Sequence, residues 1–234
     1  GTGVAVIGPR IAPVTAHSIA TINRLAPGRT FLGIGTGNTA QRLMGQPPIK
    51  FAEFEEYVRV LRTLLDGKEV EYAYNGRTFP VEFMMAEDGF IDLEHPIPIY
   101  VSGFYRRTFM LAGRYGDGLV CSLPPQHNFV TRALNAVNAG AEAAGRDLGD
   151  DFPVASLGAA IVLEPGETLE SERVIDEVGP FAISSMHYIY DKLKEKDAGE
   201  PPAHMKPMWK KYVEMVEQTP PSHRHLRVHA GHCT

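Results

Sequence analysis

At 234 residues and 44% hydrophobic, the chain is long enough to bury a substantial core, and one large domain is the simplest reading. A formal net charge of -5 and a pI near 6.0 leave no basic surplus to neutralise a phosphate backbone, which argues against a nucleic-acid partner. No apolar run approaches the roughly 20 residues that cross a bilayer, and the two cysteines, Cys121 and Cys233, are too few for a disulfide framework. A soluble cytoplasmic protein is the expectation.

The first run, residues 2–7 (TGVAVI), is β-branched and ends at Gly8-Pro9, a strand followed by a turn. Val14, Ile19, Ile22 and Leu25 then mark a helix that stops at Pro27-Gly28. Residues 31–35 form the next strand. A helix follows over about residues 50–66, with Phe51, Phe54, Val58, Leu61 and Leu65 three and four apart on one face and Gly67 closing it. Asn75-Gly76, between two aromatic and β-branched runs, predicts a hairpin. Strand and helix then alternate: strand 97–103, helix 106–115, strand 117–123, helix 128–144, strand 152–163. From about residue 168 to 217 the pattern is helical and charged, with no strand.

Strands apolar on both faces belong to a parallel sheet covered by helices, so the class is α/β. Five strands satisfy an open doubly wound sheet, whereas a (β/α)8 barrel needs three more outside this chain. Pattern alone does not separate the two. The sequence opens inside a strand-like run, GTGVAVIG, and stops at GHCT, so an internal fragment is the expectation.

Chemistry is concentrated in two strand-ending stretches. Residues 35–40 (GTGNTA) satisfy the G-x-G-x-x-A form of a dinucleotide fingerprint, but Gly45 and Pro47-Pro48 interrupt the long helix that such a motif opens. The acids some 20 positions on, Glu53, Glu55 and Glu56, fall on a helix face instead of a strand end. A plain turn with glycines at positive φ is the simpler alternative. A second stretch of the same kind, residues 102–108 (SGFYRRT), leads straight into a helix. Free N–H groups, a hydroxyl at Thr108 and nearby guanidinium groups make a phosphate site there.

In order and spacing, TGVAV, LAPGRTFLGIGTGNT, FEEYVRVLRTLLDG, PIPIYVSGF and LAGRYGDGLV resemble the luciferase-like flavin-dependent monooxygenases, and most closely the branch that uses the deazaflavin coenzyme F-420. The resemblance covers most of residues 1–163. It implies an eight-stranded luciferase-like TIM barrel, present here from about the third to the seventh strand. Residues 1–234 are then one incomplete domain, with a helical insertion and His-rich loop over 168–234. It also implies a homodimer, a small-molecule substrate, and FMN or coenzyme F-420 lying over the C-terminal strand ends.

By position, Gly3-Val4 match a strand with a cis peptide behind the ring, and Thr36, Gly37 and Asn38 match the segment touching the ring and its chain. Ser102, Gly103, Phe104, Tyr105, Arg106 and Thr108 match the segment holding the chain and phosphate. Two departures stand out. Asn38 replaces an acid found in some relatives, so acid-base roles at that position do not transfer. SGFYRRT stands where relatives often carry glycines and a proline, so Tyr105 and Arg106 crowd or rebuild the phosphate site. No catalytic residue is assigned.

The remaining candidates carry competing readings. His223, His225, His229, His232 and Cys233 fit no common zinc spacing, so a solvated loop, or a loop folded over the cofactor rim, stands beside a metal site. His17 reads as a helix-surface residue. Arg42 is within reach of a phosphate or forms a surface ion pair. The run 181–190 (FAISSMHYIY) lines a pocket or is plain core, and Cys121 has nothing basic beside it to activate it. The function expected is a flavin- or deazaflavin-dependent oxidoreductase or monooxygenase. The alternative is a non-catalytic flavin-binding protein like the nonfluorescent flavoprotein.

Overall fold

In a computed structural model, residues 1–122, 127–196 and 200–224 are described. The chain divides into two compact units, one formed by Gly1–Gln41 with Pro47–Leu157, the other by Arg42–Gln46 with Gly158–Thr234.

The first unit holds the sheet. Strands β1 (Thr2–Val6), β2 (Leu32–Gly35), β5 (Ile99–Ser102), β6 (Gly118–Cys121) and β7 (Val154–Ser156) lie side by side in chain order, and every neighbouring pair is parallel. A doubly wound sheet reverses its strand order at a switch point. This one does not, and its sequential order is that of an arc of a parallel barrel. Helices α1 (Ala12–Leu25), α3 (Phe51–Leu65), α4 (Arg106–Tyr115) and α5 (His127–Ala143) connect the strands. Leu32, Ile34, Ile99, Val101 and Leu119 of the sheet are all but inaccessible, as are Phe54, Val58, Leu61 and Leu64 of α3. Phe54, Val58 and Leu61, with the buried Leu65, are positions that the helical spacing assigned to one face; Phe51 of that set is half-buried, and Leu64 lies outside it.

The hairpin forms as expected from β3 (Val70–Tyr74) and β4 (Arg77–Val81), with Asn75 at φ 50° and Gly76 at φ 73° supplying the left-handed pair that a tight two-residue turn demands. Two expectations are corrected. A six-residue helix, α2 (Asn38–Leu43), opens directly after the first glycine stretch, where the sequence reading placed a turn. The strand expected over residues 152–163 is only three residues long. Its ladder partner β6 stops at Cys121, paired with Ser156, and beyond that the apolar residues Leu157, Val162 and Leu163 are exposed.

In the second unit, α6 (Glu172–Lys196) and α7 (Lys206–Gln218) are helical, and there is no strand among its described residues. Met186, Tyr212 and Val216 form its small core, with Tyr190 and Trp209 packed against it. No helix among the described residues is long and apolar enough to cross a membrane.

Candidate functional site at the C-terminal strand ends

Parallel strands expose all their C-terminal ends on one side, and in barrels the loops there carry the chemistry. The register brings the two stretches singled out in the sequence together. Val6 pairs with Gly35, and Ile34 with Val101, so the ends of β1, β2 and β5 are level. Gly35 measures how close they are: a Cβ built on it would lie 3.1 Å from Val4 Cγ2 and 3.3 Å from Ser102 Cβ. The Val4 and Ser102 side chains therefore flank Gly35 from the two neighbouring strands. The Gly3–Val4 peptide bond is cis.

Each corner has its own reason for glycine. Gly37 sits at φ 67°, and any side chain there would run into Val6. A methyl group at Gly103 would collide with the Thr108 side chain, so the bare backbone lets Thr108 fold against its own loop. The N–H of Gly103 continues the ladder by donating to Val120 O at 3.1 Å.

From this corner α4 begins. Its N-cap, Tyr105, has extended backbone and no side-chain cap bond. Thr108 N and Phe109 N donate to Tyr105 O at 2.9 and 3.0 Å, while the N–H groups of Arg106 and Arg107 lie in the first turn, where no intrahelical acceptor exists. No acid stands in that turn. Two arginines at the positive end of a helix dipole disfavour each other and the helix, and an anion placed there reverses the sign of both terms. The Arg107 guanidinium lies 4.0 Å over the Phe51 ring at the start of α3. Among the described residues, the side chains of Asn38, Ser102, Arg106 and Thr108 have no hydrogen-bonding or ionic partner.

A third corner, after β1, is fixed from below. Tyr57 of α3 donates its hydroxyl to Arg10 O at 3.0 Å and so accepts from Thr15 at 2.6 Å. Burial pushes the Tyr57 hydroxyl above its ordinary pKa, with the Thr15 bond acting in the opposite sense.

The other candidates fall elsewhere. His17 is exposed on α1, with its ring centroid 6.0 Å from that of Phe83 in an edge-to-face arrangement. Cys121 is buried at the end of β6 and points its thiol to Ala155 O at 3.6 Å. Arg42 lies in the last turn of α2. Within the run 181–190, Met186 is buried beside Tyr212, and the Tyr190 ring is 5.5 Å from that of Tyr212, so these two residues are helix-pair core. His223 accepts or donates at Ser222 Oγ, 3.0 Å away; His225, His229, His232 and Cys233 lie outside the described residues. No group of three His, Cys, Asp or Glu side chains that could hold a metal forms among the described residues.

The AGRYGDG block, used above only as a mark of resemblance, is structural. Asp117 precedes β6 at the opposite end of the sheet, where it takes the Arg62 guanidinium and Ile99 N–H (2.9 Å) on one oxygen and Arg146 (3.5 Å) on the other. A cavity of about 580 Å³ also lies at that end, lined by Arg24, Pro27, Ile91, Asp92 and His95 among others. It is far along the strands from the glycine corners.

A family model described as luciferase-like monooxygenase matches residues 1–219, and the chain belongs to that family. Two curated relatives are coenzyme F-420-dependent glucose-6-phosphate dehydrogenases. The protein of Mycolicibacterium fortuitum is 32% identical over 168 residues, covering 68% of this chain and 48% of that one. That of Kineococcus radiotolerans is 31% identical over 182 residues, covering 74% and 52%. The chain thus spans about half the length of the curated relatives it matches. Among solved structures, the coenzyme F-420-dependent tetrahydromethanopterin reductase of Methanopyrus kandleri aligns with a TM-score of 0.55 at 18% identity, over 92% of this chain and 61% of that one. At that identity the likeness speaks for the fold, a luciferase-like TIM barrel of which this sheet is an arc.

Proposed function

We propose that this chain carries the cofactor-binding rim of an oxidoreductase that uses coenzyme F-420, with FMN as the second candidate, to act on a small organic substrate. The observation that supports the reading is the level ending of β1, β2 and β5, with Gly35 flanked by Val4 and Ser102, which sets the Gly37 and Gly103 corners side by side on one rim. The names of the curated relatives favour the deazaflavin over FMN.

The residues present fit such a group. Gly35, Gly37 and Gly103 keep side chains off the strand ends, as a flat ring system requires, and Val4 supplies an apolar wall. The unpaired first-turn N–H groups of α4, with Arg106 and the Thr108 hydroxyl, would hold a phosphate. When bound, the deazaflavin supplies hydride chemistry, and the protein's part is to bind, orient and exclude water. Asn38 can hydrogen-bond at the ring but can neither give up nor take a proton at neutral pH.

Titration of the purified protein with coenzyme F-420 and with FMN, followed by absorbance, tests the reading. F-420 binding with oxidation of an alcohol or sugar phosphate is the expected result. Tight binding without turnover on any alcohol would favour the non-catalytic alternative, and binding of neither cofactor would refute both.

A further inference from the structure

The cavity at the N-terminal end of the sheet is bonded at its floor and open at its wall. On the floor, Asn23 of α1 donates to the carbonyls of Asp92 and His95 at 3.1 and 2.9 Å. The Asp92 carboxylate takes the His95 ring at Nδ1, 3.0 Å away, and a Cβ built on Gly28 would lie 3.6 Å from ring carbon Cδ2. The imidazole is thus fixed on two sides. A carboxylate behind Nδ1 keeps the proton there, which leaves the outer nitrogen, Nε2, as an acceptor in the neutral ring. Arg24, in the last turn of α1, is anchored in the same way. Its Nε–H donates to Gly89 O at 2.9 Å, and its two terminal amino groups have no partner among the described residues. Glu87 and Glu94 also line the cavity, and their carboxylates are likewise unpaired among the described residues.

A cation and two carboxylates that line one cavity without meeting match a ligand that carries both charges. Ile91 and Leu93 add an apolar wall, and about 580 Å³ is the volume of a small-molecule site. We propose that this cavity binds a small zwitterion, a free amino acid with an apolar side chain, at a site separate from the cofactor rim. The Arg24 fork takes the carboxylate in two parallel N–H···O bonds. The ammonium has three N–H donors, and His95 Nε2 with the Glu87 and Glu94 carboxylates offers acceptors for them. A metal is the poorer match, since no group of three His, Cys, Asp or Glu side chains that could hold one forms among the described residues. The site stands whether or not the rim binds coenzyme F-420.

Isothermal titration of the cofactor-free protein with the common amino acids tests it. An apolar amino acid should bind with a millimolar or tighter Kd. Its deaminated and decarboxylated analogues, isocaproate and isoamylamine in the case of leucine, should bind roughly tenfold more weakly, because each lacks one charge. Arg24→Gln and Glu94→Gln should each raise the Kd roughly three- to tenfold, as expected for charged bonds at an exposed site. Both side chains are exposed, so the melting temperature should hardly move. Saturating coenzyme F-420 should leave the affinity as it was. No binding across the amino acids, a Kd indifferent to both substitutions, analogues that bind as tightly as the amino acid, or competition with the cofactor would overturn the assignment and leave the proposed function standing.

Discussion

The two ends of the same five-stranded sheet are built on opposite terms. At the N-terminal end, polar groups are bonded to one another. Asn23, fully buried, donates to Asp92 O at 3.1 Å and His95 O at 2.9 Å and accepts from Thr30. Asp92 takes the N–H groups of Glu94 and His95 at 3.0 and 3.2 Å and the His95 ring at 3.0 Å. Burial works against its charge, but the His95 backbone and ring bonds together hold the carboxyl below its usual range. Arg146 spans Gly113 O, Gly116 O and Asp117. At the C-terminal end, the side chains of Asn38, Gln41, Ser102, Arg106 and Thr108 have no hydrogen-bonding or ionic partner among the described residues. One end holds the strands in register; the other leaves donors and charge unpaired among the described residues, as the proposed cofactor site requires. The contrast is that of barrel folds generally, with stability at the bottom and chemistry at the top.

Substitution at the bottom should therefore damage the fold, and substitution at the top should damage binding. The largest effect is expected from Asp117→Ala, which leaves the Ile99 N–H without its acceptor and removes a charged partner from Arg62 and Arg146. A loss of about 2–3 kcal/mol of unfolding free energy follows from the unpaired N–H together with the lost charge-assisted bonds. Urea titration reads it, and the folded fraction should bind cofactor as tightly as the wild type. A Kd that rises together with the instability would break the contrast.

Arg106→Ala is the mirror case. Removing a charge-assisted bond to phosphate should weaken cofactor binding roughly ten- to a hundredfold, from about 1.5–3 kcal/mol. Stability should hold or improve by a few tenths of a kcal/mol, because a cation leaves the positive end of α4. Thr108→Val should act in the same direction and more weakly. If Arg106→Ala instead lowered stability, the arginine would belong with the scaffold.

The smallest effect concerns the second unit, outside this contrast. The Arg173 guanidinium first, and the Glu164 N–H after it, hold the Glu167 carboxyl at about 2 against a usual 4.5. A depressed carboxylate stabilises the fold above its unfolded pKa, so this contribution is whole above pH 4.5 and fades as pH falls toward 2. Trp209 is the chain's single tryptophan and packs by Tyr212, so its fluorescence on acid titration reports on this unit. Glu167→Gln should flatten the low-pH part of that titration and leave neutral pH nearly unchanged.

Much of the scaffold could be read from the residues because its signals are local. The β-branched runs gave the strands, the three-and-four spacing gave α3, and Asn75-Gly76 gave the hairpin. The two glycine corners were legible for the same reason. What escaped depends on partners distant in the chain. Asp117 reads as part of a loop motif, and its meaning comes from Arg62, 55 positions away, and Arg146, 29 positions away. Gln41 reads as an ordinary polar helix residue until burial is known. Strand β7 was read too long because an apolar run says nothing about where its ladder partner ends, and α2 was passed over because six residues carry too little periodicity.

Hydrogen exchange with and without coenzyme F-420 tests the central claim most directly, since it reads both corners and both ends of the sheet in one experiment. Saturating cofactor should slow exchange at residues 36–38 and at residues 103–108 together, and leave the amides around Asp92 and Asp117 as they were. Protection confined to one corner, or appearing around the Asp92 cavity instead, would contradict a shared rim site.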